Sequence, residues 1–130
     1  MGLVVVDASA VVDLLRGGDL GRRVAAHLGD ALVAPDLLYV EVASAFARLV
    51  RAGSLEIRAA DDALRRLAHM PVSPTSASLL LSRAWQLRDR VRTADAFYVA
   101  CAEIFRAPLL TTDARLGAAA LPGIAVTVVR

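Results

Sequence analysis

The sequence predicts an α/β fold in three layers, a short central parallel sheet of about four or five strands flanked by helices. Short apolar runs rich in β-branched residues, such as LVVV at 3–6, read as strands buried on both faces. Amphipathic helical stretches separate these runs, which is the pattern of a parallel sheet with helical crossovers. The 130 residues suit one domain able to bury roughly two thirds of its unfolded surface. A composition of 57% hydrophobic residues, with 26 alanines and 20 leucines, supplies the core.

The elements follow in order. Leu3 to Val6 forms the first strand and ends at Asp7. A helix follows at once, with Ser9 able to cap its first turn and Val11, Val12, Leu14 and Leu15 facing inward; Gly17 and Gly18 stop it. A second amphipathic helix covers about Leu20 to Leu28. Ala31 to Ala34 is a short strand before Pro35, after which Asp36 can cap a long helix that stops at Gly53. Glu41, Ser44, Arg48 and Arg51 form a polar stripe along that helix. Arg58 to Met70 and Ser76 to Arg92 read as two more helices, with a very short strand at Val72 between Pro71 and Pro74. The next helix runs from Thr93 to Arg106. Leu109 to Thr112 is a strand ending at Asp113, and a short helix leads through Pro122 and Gly123 into a last strand, AVTVV.

Composition excludes several chemistries. All 15 basic residues are arginine, so Schiff-base catalysis and a phosphate-loop lysine are ruled out. A single cysteine, Cys101, supports neither an internal disulfide nor a thiolate metal site, and a cytoplasmic location is expected. The apolar opening has no basic residue before it and is broken by Asp7, which argues against a signal peptide, and no apolar run is long enough to span a bilayer. The net charge of +2 does not by itself point to a polyanion. If several of the 13 acids are neutralised at one metal site, the remaining surface is more basic than that figure suggests.

Four acids stand out by position. Asp7 and Asp113 directly follow strands, at the edge where parallel α/β sheets bind ligands. Glu41 and Asp95 lie in the opening turns of helices that can lean over the same edge. Each has an ordinary explanation alone: Asp7 and Asp113 as turn or cap residues, Glu41 as part of a solvated stripe, Asp95 as a complement to the helix dipole. Together they suggest one cleft. Two carboxylates about 4 Å apart repel by on the order of 4 kcal/mol at an effective dielectric near 20, and a hard divalent cation relieves that repulsion. An all-oxygen set suits Mg²⁺ or Mn²⁺, with the hydroxyls of Ser9 and Thr112 expected to orient the ligands.

The segments VVVDASAVVDLL, PDLLYVEVASAF, RTADAFYVACAE and LLTTDARL resemble, in order, the four acidic motifs of PIN-domain nucleases. Length, motif order and spacing are most similar to the VapC toxins of bacterial type II toxin–antitoxin pairs. No one motif is specific, but the set of four covers nearly the whole chain. The resemblance implies that Asp7, Glu41, Asp95 and Asp113 form the catalytic site. Within it Asp7 and Asp95 would be the direct metal ligands, and Glu41 and Asp113 would complete the site or act through water. It further implies RNA cleavage leaving a 5′-phosphate and a 3′-hydroxyl, a homodimer, and a cognate VapB-like antitoxin whose tail blocks the cleft. Ala94, before the third acid, is smaller than the residue many relatives carry there.

Arg16, Arg88, Arg90, Arg92 and Arg115 are candidates for gripping RNA phosphates. His27 and His69 lack metal-ligand spacing, and Trp85, Phe97, Tyr98 and Phe105 read as core or interface residues. The Ala-rich helices around 37–50 and 79–87 are more apolar than one small sheet can cover, which points to a protein partner. A phosphoacceptor receiver would need a lysine, and a haloacid-dehalogenase-type phosphatase would need an aspartate where Ser9 stands. The remaining alternative is a catalytically inactive PIN-like interaction domain.

Overall fold

The computed structural model describes residues 2–119, 121 and 123–130. Five strands, β1 (Leu3–Val6), β2 (Ala31–Pro35), β3 (Val72–Thr75), β4 (Leu109–Thr111) and β5 (Val126–Val128), form one parallel sheet in the order β3-β2-β1-β4-β5. The chain builds outward from β1 to one side through β2 and β3, then returns to lay β4 and β5 on the other. The β1/β4 junction is therefore the switch point of the sheet, where parallel α/β folds open a crevice beyond the strand ends. Asp7 donates its N–H to the Leu110 carbonyl at 2.9 Å, so the chain leaving β1 runs beside the end of β4.

Among the described residues seven helices flank the sheet: α1 (Ala8–Arg16), α2 (Gly18–Ala26), α3 (Leu38–Arg51), α4 (Ile57–Ala68), α5 (Ala77–Gln86), α6 (Thr93–Phe105) and α7 (Ala114–Ala118). Helix α6 packs on β1, β2 and β4 as well as on α5, while α1 packs with α2, α3 and α4. Residues Tyr98 to Ala102 of α6 are all buried. The small side chains of Ala96, Ala100 and Ala102 let this helix lie close to the sheet, and Phe46, Leu38 and Val42 of α3 fill the core from another side. No helix among the described residues is long and apolar enough to cross a membrane.

Several boundaries differ from the sequence reading for identifiable reasons. Ser9 does not cap α1: it lies inside the first turn, and its hydroxyl goes to Asp7. Gly17, at φ +78°, ends α1 and also begins α2, so the second helix starts at Gly18, two residues before the expected Leu20. Asp36 does not cap α3, which starts at Leu38; its carboxylate accepts the Ala77 N–H at 3.2 Å, at the start of α5. The expected helix from Ser76 to Arg92 ends at Gln86. There Leu87 turns into the core, and the Arg88 guanidinium stacks on Trp85 while donating to its carbonyl at 2.9 Å. Gly53, at φ +73°, follows α3 as expected, and Ser54 N–H closes back on the Leu49 carbonyl. Pro122 lies outside the described residues. His27 and His69 both sit at helix ends with Nδ1 against the carbonyl four residues earlier, away from any metal-binding spacing.

Candidate active site

A cleft of about 380 Å³ opens at the β1/β4 switch point, lined by Asp7, Ala8, Ser9, Val12, Asp13, Glu41, Ala45, Arg48, Arg92, Asp95, Asp113 and Arg115. All four acids singled out in the sequence line it. Strand ends deliver Asp7 and Asp113, and the first turns of α3 and α6 deliver Glu41 and Asp95. Asp13 is a fifth carboxylate that the sequence reading missed. Its signal was its place four residues after Ser9 on α1, which puts the two on one helix face.

Asp7 and Thr111 are buried, with 5% and 0% exposure. Ser9 Oγ donates to Asp7 Oδ2 at 2.6 Å, and Thr111 Oγ1 donates to the same oxygen at 2.7 Å. Both hydroxyl protons are thereby committed to Asp7. The 3.0 Å approach of Ser9 Oγ to Thr111 Oγ1 is then a contact between two oxygens that each accept elsewhere: Ser9 from Thr112 N–H at 3.1 Å, Thr111 from Asp113 N–H at 2.9 Å. The sequence reading expected the hydroxyls of Ser9 and Thr112 to orient the acids; of the two, Ser9 reaches Asp7. Thr112 Oγ1 donates to Asp13 Oδ2 at 2.7 Å instead. Consecutive residues leaving a strand point to opposite sides, so Thr111 faces Asp7 and its neighbour faces α1.

Burial and the neighbouring arginines act on these acids in opposite senses. Burial raises the Asp7 carboxyl above its ordinary value, opposed by the Ser9 and Thr111 hydroxyls and reinforced by the charge of Asp95. Burial also raises Glu41, opposed by Tyr98 and reinforced by Asp7 and Asp95. These three carboxylates feel one another. Asp113 is lowered, chiefly by its hydrogen bonds to Arg115 and further by the charge of Arg92. Arg115 grips it with two bonds of 3.2 and 3.0 Å, and Asp113 Oδ1 also accepts the Arg115 backbone N–H at 2.9 Å, capping α7. Arg92 reaches Asp95 at 3.2 Å and Asp113 at 3.8 Å. The repulsion expected of the acid cluster is thus relieved in part by two arginines. Among the described residues no three acids stand close enough to form a ready-made metal cage.

The raised carboxyls give a pH dependence of fixed sign. A carboxyl with a higher value in the folded state binds protons preferentially there, so its stabilising effect is complete below its unfolded value and is lost as pH rises through the folded one. Asp7 and Glu41, raised from 3.8 and 4.5, therefore disfavour the cation-free fold increasingly from the acidic range toward neutrality. Asp113 acts in the opposite sense: its contribution is present above 3.8 and is lost as pH falls through its lowered value. Melting curves in chelator should show Asp7→Asn with no advantage over wild type near about pH 4 and a growing one toward about pH 7. A constant difference across that range would contradict the burial of an ionised Asp7.

Residues 4–121 match the family model described as PIN domain. Ribonuclease VapC3 of Mycobacterium tuberculosis is 48% identical over 118 residues, covering 89% of this chain and 86% of that protein. Ribonuclease VapC1 of the same organism is 42% identical over 127 residues, covering 92% and 91%. Among solved structures, a toxin–antitoxin complex from Klebsiella pneumoniae superposes with a TM-score of 0.68 at 20% identity, covering 95% of each chain, a likeness of fold. The acidic crevice at the β1/β4 switch point and the match to these relatives over most of both chains agree: this chain belongs to the VapC family of PIN-domain proteins.

Proposed function

We propose that this chain is a divalent-cation-dependent endoribonuclease that acts as the toxin of a toxin–antitoxin pair and cuts RNA phosphodiester bonds in the acidic cleft. The observation that carries this reading is the convergence of Asp7, Glu41 and Asp95, from three separate elements, into one electrostatically coupled group at the sheet's switch point. The donor set fits a hard cation. It is all oxygen, and Asp7 is a buried carboxylate. Asp7 and Asp95 would hold Mg²⁺ or Mn²⁺ directly, with Glu41 and Asp113 completing the set. When bound, the cation supplies an acidified water and neutralises charge on the phosphodiester.

The chain's own residues supply the rest. Ser9 and Thr111 fix the Asp7 carboxylate through one of its oxygens, Oδ2. Arg48, Arg92 and Arg115 line the same cleft and offer forked donors to phosphate oxygens. A second groove of about 430 Å³, lined by Arg88, Asp89, Arg90, Val91, Arg92, Asp95, Arg115, Leu116 and Ala119, shares three residues with the acidic cleft. It supports a path along which an RNA backbone reaches the acids. Of the arginines proposed for substrate, only Arg16 falls outside both grooves; it closes α1 at the end away from Asp7.

For partners, Val40 on α3, Ile57 on α4, and Leu79, Leu81 and Trp85 on α5 are large apolar residues more than half exposed. Such surfaces support a second copy of the chain and a VapB-like antitoxin as occupants. The VapC names of the relatives and the toxin–antitoxin complex among structures of like fold support the same assignment.

Purified protein incubated with a whole-cell RNA pool is expected to cut RNA with Mg²⁺ or Mn²⁺ and to stop on addition of EDTA. Expression without antitoxin is expected to halt growth. Absence of cleavage with either cation, together with normal growth at verified expression, would favour an inactive interaction domain.

A further inference from the structure

Two buried side-chain oxygens among the described residues lack a hydrogen bond, Glu41 Oε1 and Tyr98 Oη. One belongs to a carboxylate, which accepts, and the other to a phenol, which can donate. Leaving such a group unpaired inside a protein costs about 1–3 kcal/mol, and buried tyrosines ordinarily find a partner for the hydroxyl. Tyr98 is fully buried. It stands three residues after Asp95 on α6, so the two share a helix face. The two orphaned groups also act on each other: Tyr98 opposes the burial that raises Glu41, and Glu41 adds to the burial that raises the Tyr98 phenol. The phenol and the carboxylate are thus electrostatic neighbours, a donor and an acceptor that each lack a partner.

We propose that Tyr98 is a positioning residue for Glu41: its phenolic O–H donates to the Glu41 carboxylate and fixes the orientation in which that carboxylate faces the cleft. The inference rests on the reading of the cleft as a cation site. Glu41 enters from α3, and no arginine bond like those on Asp95 and Asp113 holds its side chain among the described residues. A donor from the buried side leaves the opposite face of the carboxylate free for a cation. This is the usual way a residue behind a ligand sets its direction.

Tyr98→Phe removes only the hydroxyl. The chain has three glutamates, Glu41, Glu56 and Glu103, so carbon-13 labelling of glutamate carboxyls resolves each, with Glu41→Gln assigning the first. In the cation-free protein, Tyr98→Phe is expected to shift the Glu41 carboxyl resonance and leave Glu56 and Glu103 in place. Mn²⁺ affinity measured by calorimetry should fall about tenfold, and kcat for RNA should fall about tenfold with KM unchanged, the size typical of groups behind a metal ligand. In a Glu41→Gln background the same substitution should cause no further loss of Mn²⁺ affinity.

An unmoved Glu41 resonance overturns the contact, and a moved resonance with wild-type Mn²⁺ affinity and kcat overturns the positioning role. If Tyr98→Phe does not fold, 3-fluorotyrosine, which acidifies the phenol at nearly constant shape, must shift the same resonance or the contact falls. Wild-type protein that takes up no Mn²⁺ would refute the cation reading of the cleft, and the resonance would still decide whether Tyr98 holds Glu41.

Discussion

Asp7→Asn is expected to lower RNA cleavage by more than about 100-fold, or about 2.7 kcal/mol of transition-state stabilisation, while the protein stays folded. Losing a residue behind a metal ligand typically costs 10 to 100-fold, on the order of a whole network member, so loss of the ligand itself should exceed about 100-fold. The amide keeps the shape of the carboxylate. Its oxygen can still accept from Ser9 and Thr111, which both donate to Asp7 Oδ2. Its NH₂ then takes the place of the other oxygen, presenting a donor where a cation needs an acceptor. The substitution also removes a buried charge that is 5% exposed, so the melting temperature without cation at neutral pH should hold or rise. Single-turnover cleavage and thermal melting separate the two effects. An Asn variant that retains wild-type cleavage would remove Asp7 from the chemistry, and one that loses both activity and fold would make it structural.

Thr111→Val should show the second-largest effect, and here activity and stability fall together. Valine matches threonine in volume, so the fully buried site gains no cavity. What disappears is one of the two hydroxyl donors to Asp7 and the acceptor for the Asp113 N–H. The unpaired N–H costs about 1–3 kcal/mol, and loosening of Asp7 should reduce cleavage about 10 to 100-fold. Thr111→Ser retains the hydroxyl and should recover most of the cleavage while losing a methyl group's packing. Urea unfolding and cleavage rates on the two variants provide the comparison; equal activity in Val and Ser would show that the hydroxyl does not act through Asp7. The serine control matters because Thr111 also belongs to β4, next to Leu109 and Leu110 in the core.

Much of the fold was legible because its signals are local. LVVV at 3–6 is fully apolar because both faces of β1 are covered, and Gly17 and Gly53 occupy positive-φ positions where helices stop. The end of α5 was not legible. Nothing in residues 87–92 forbids a helix; Leu87 leaves it to reach the core and Arg88 closes over Trp85, both decided by neighbours distant in sequence. Asp36 has the composition of an N-cap for α3, but the fold brings the start of α5 within its reach.

The site shows the same division. The sequence by itself determined which acids end strands or open helices, and the order of strands then sends Asp7, Glu41, Asp95 and Asp113 to one crevice. Only the tertiary structure decided which oxygen meets which proton. Thr111 and not Thr112 faces Asp7, Asp13 joins the cleft, and Arg115 and Arg92 hold Asp113. Periodicity and caps depend on residues a few positions apart, so the chain carries them in its order. Hydrogen bonds between α1 and the end of β4 span about a hundred positions, and their partners are set by a packing register that no local pattern contains.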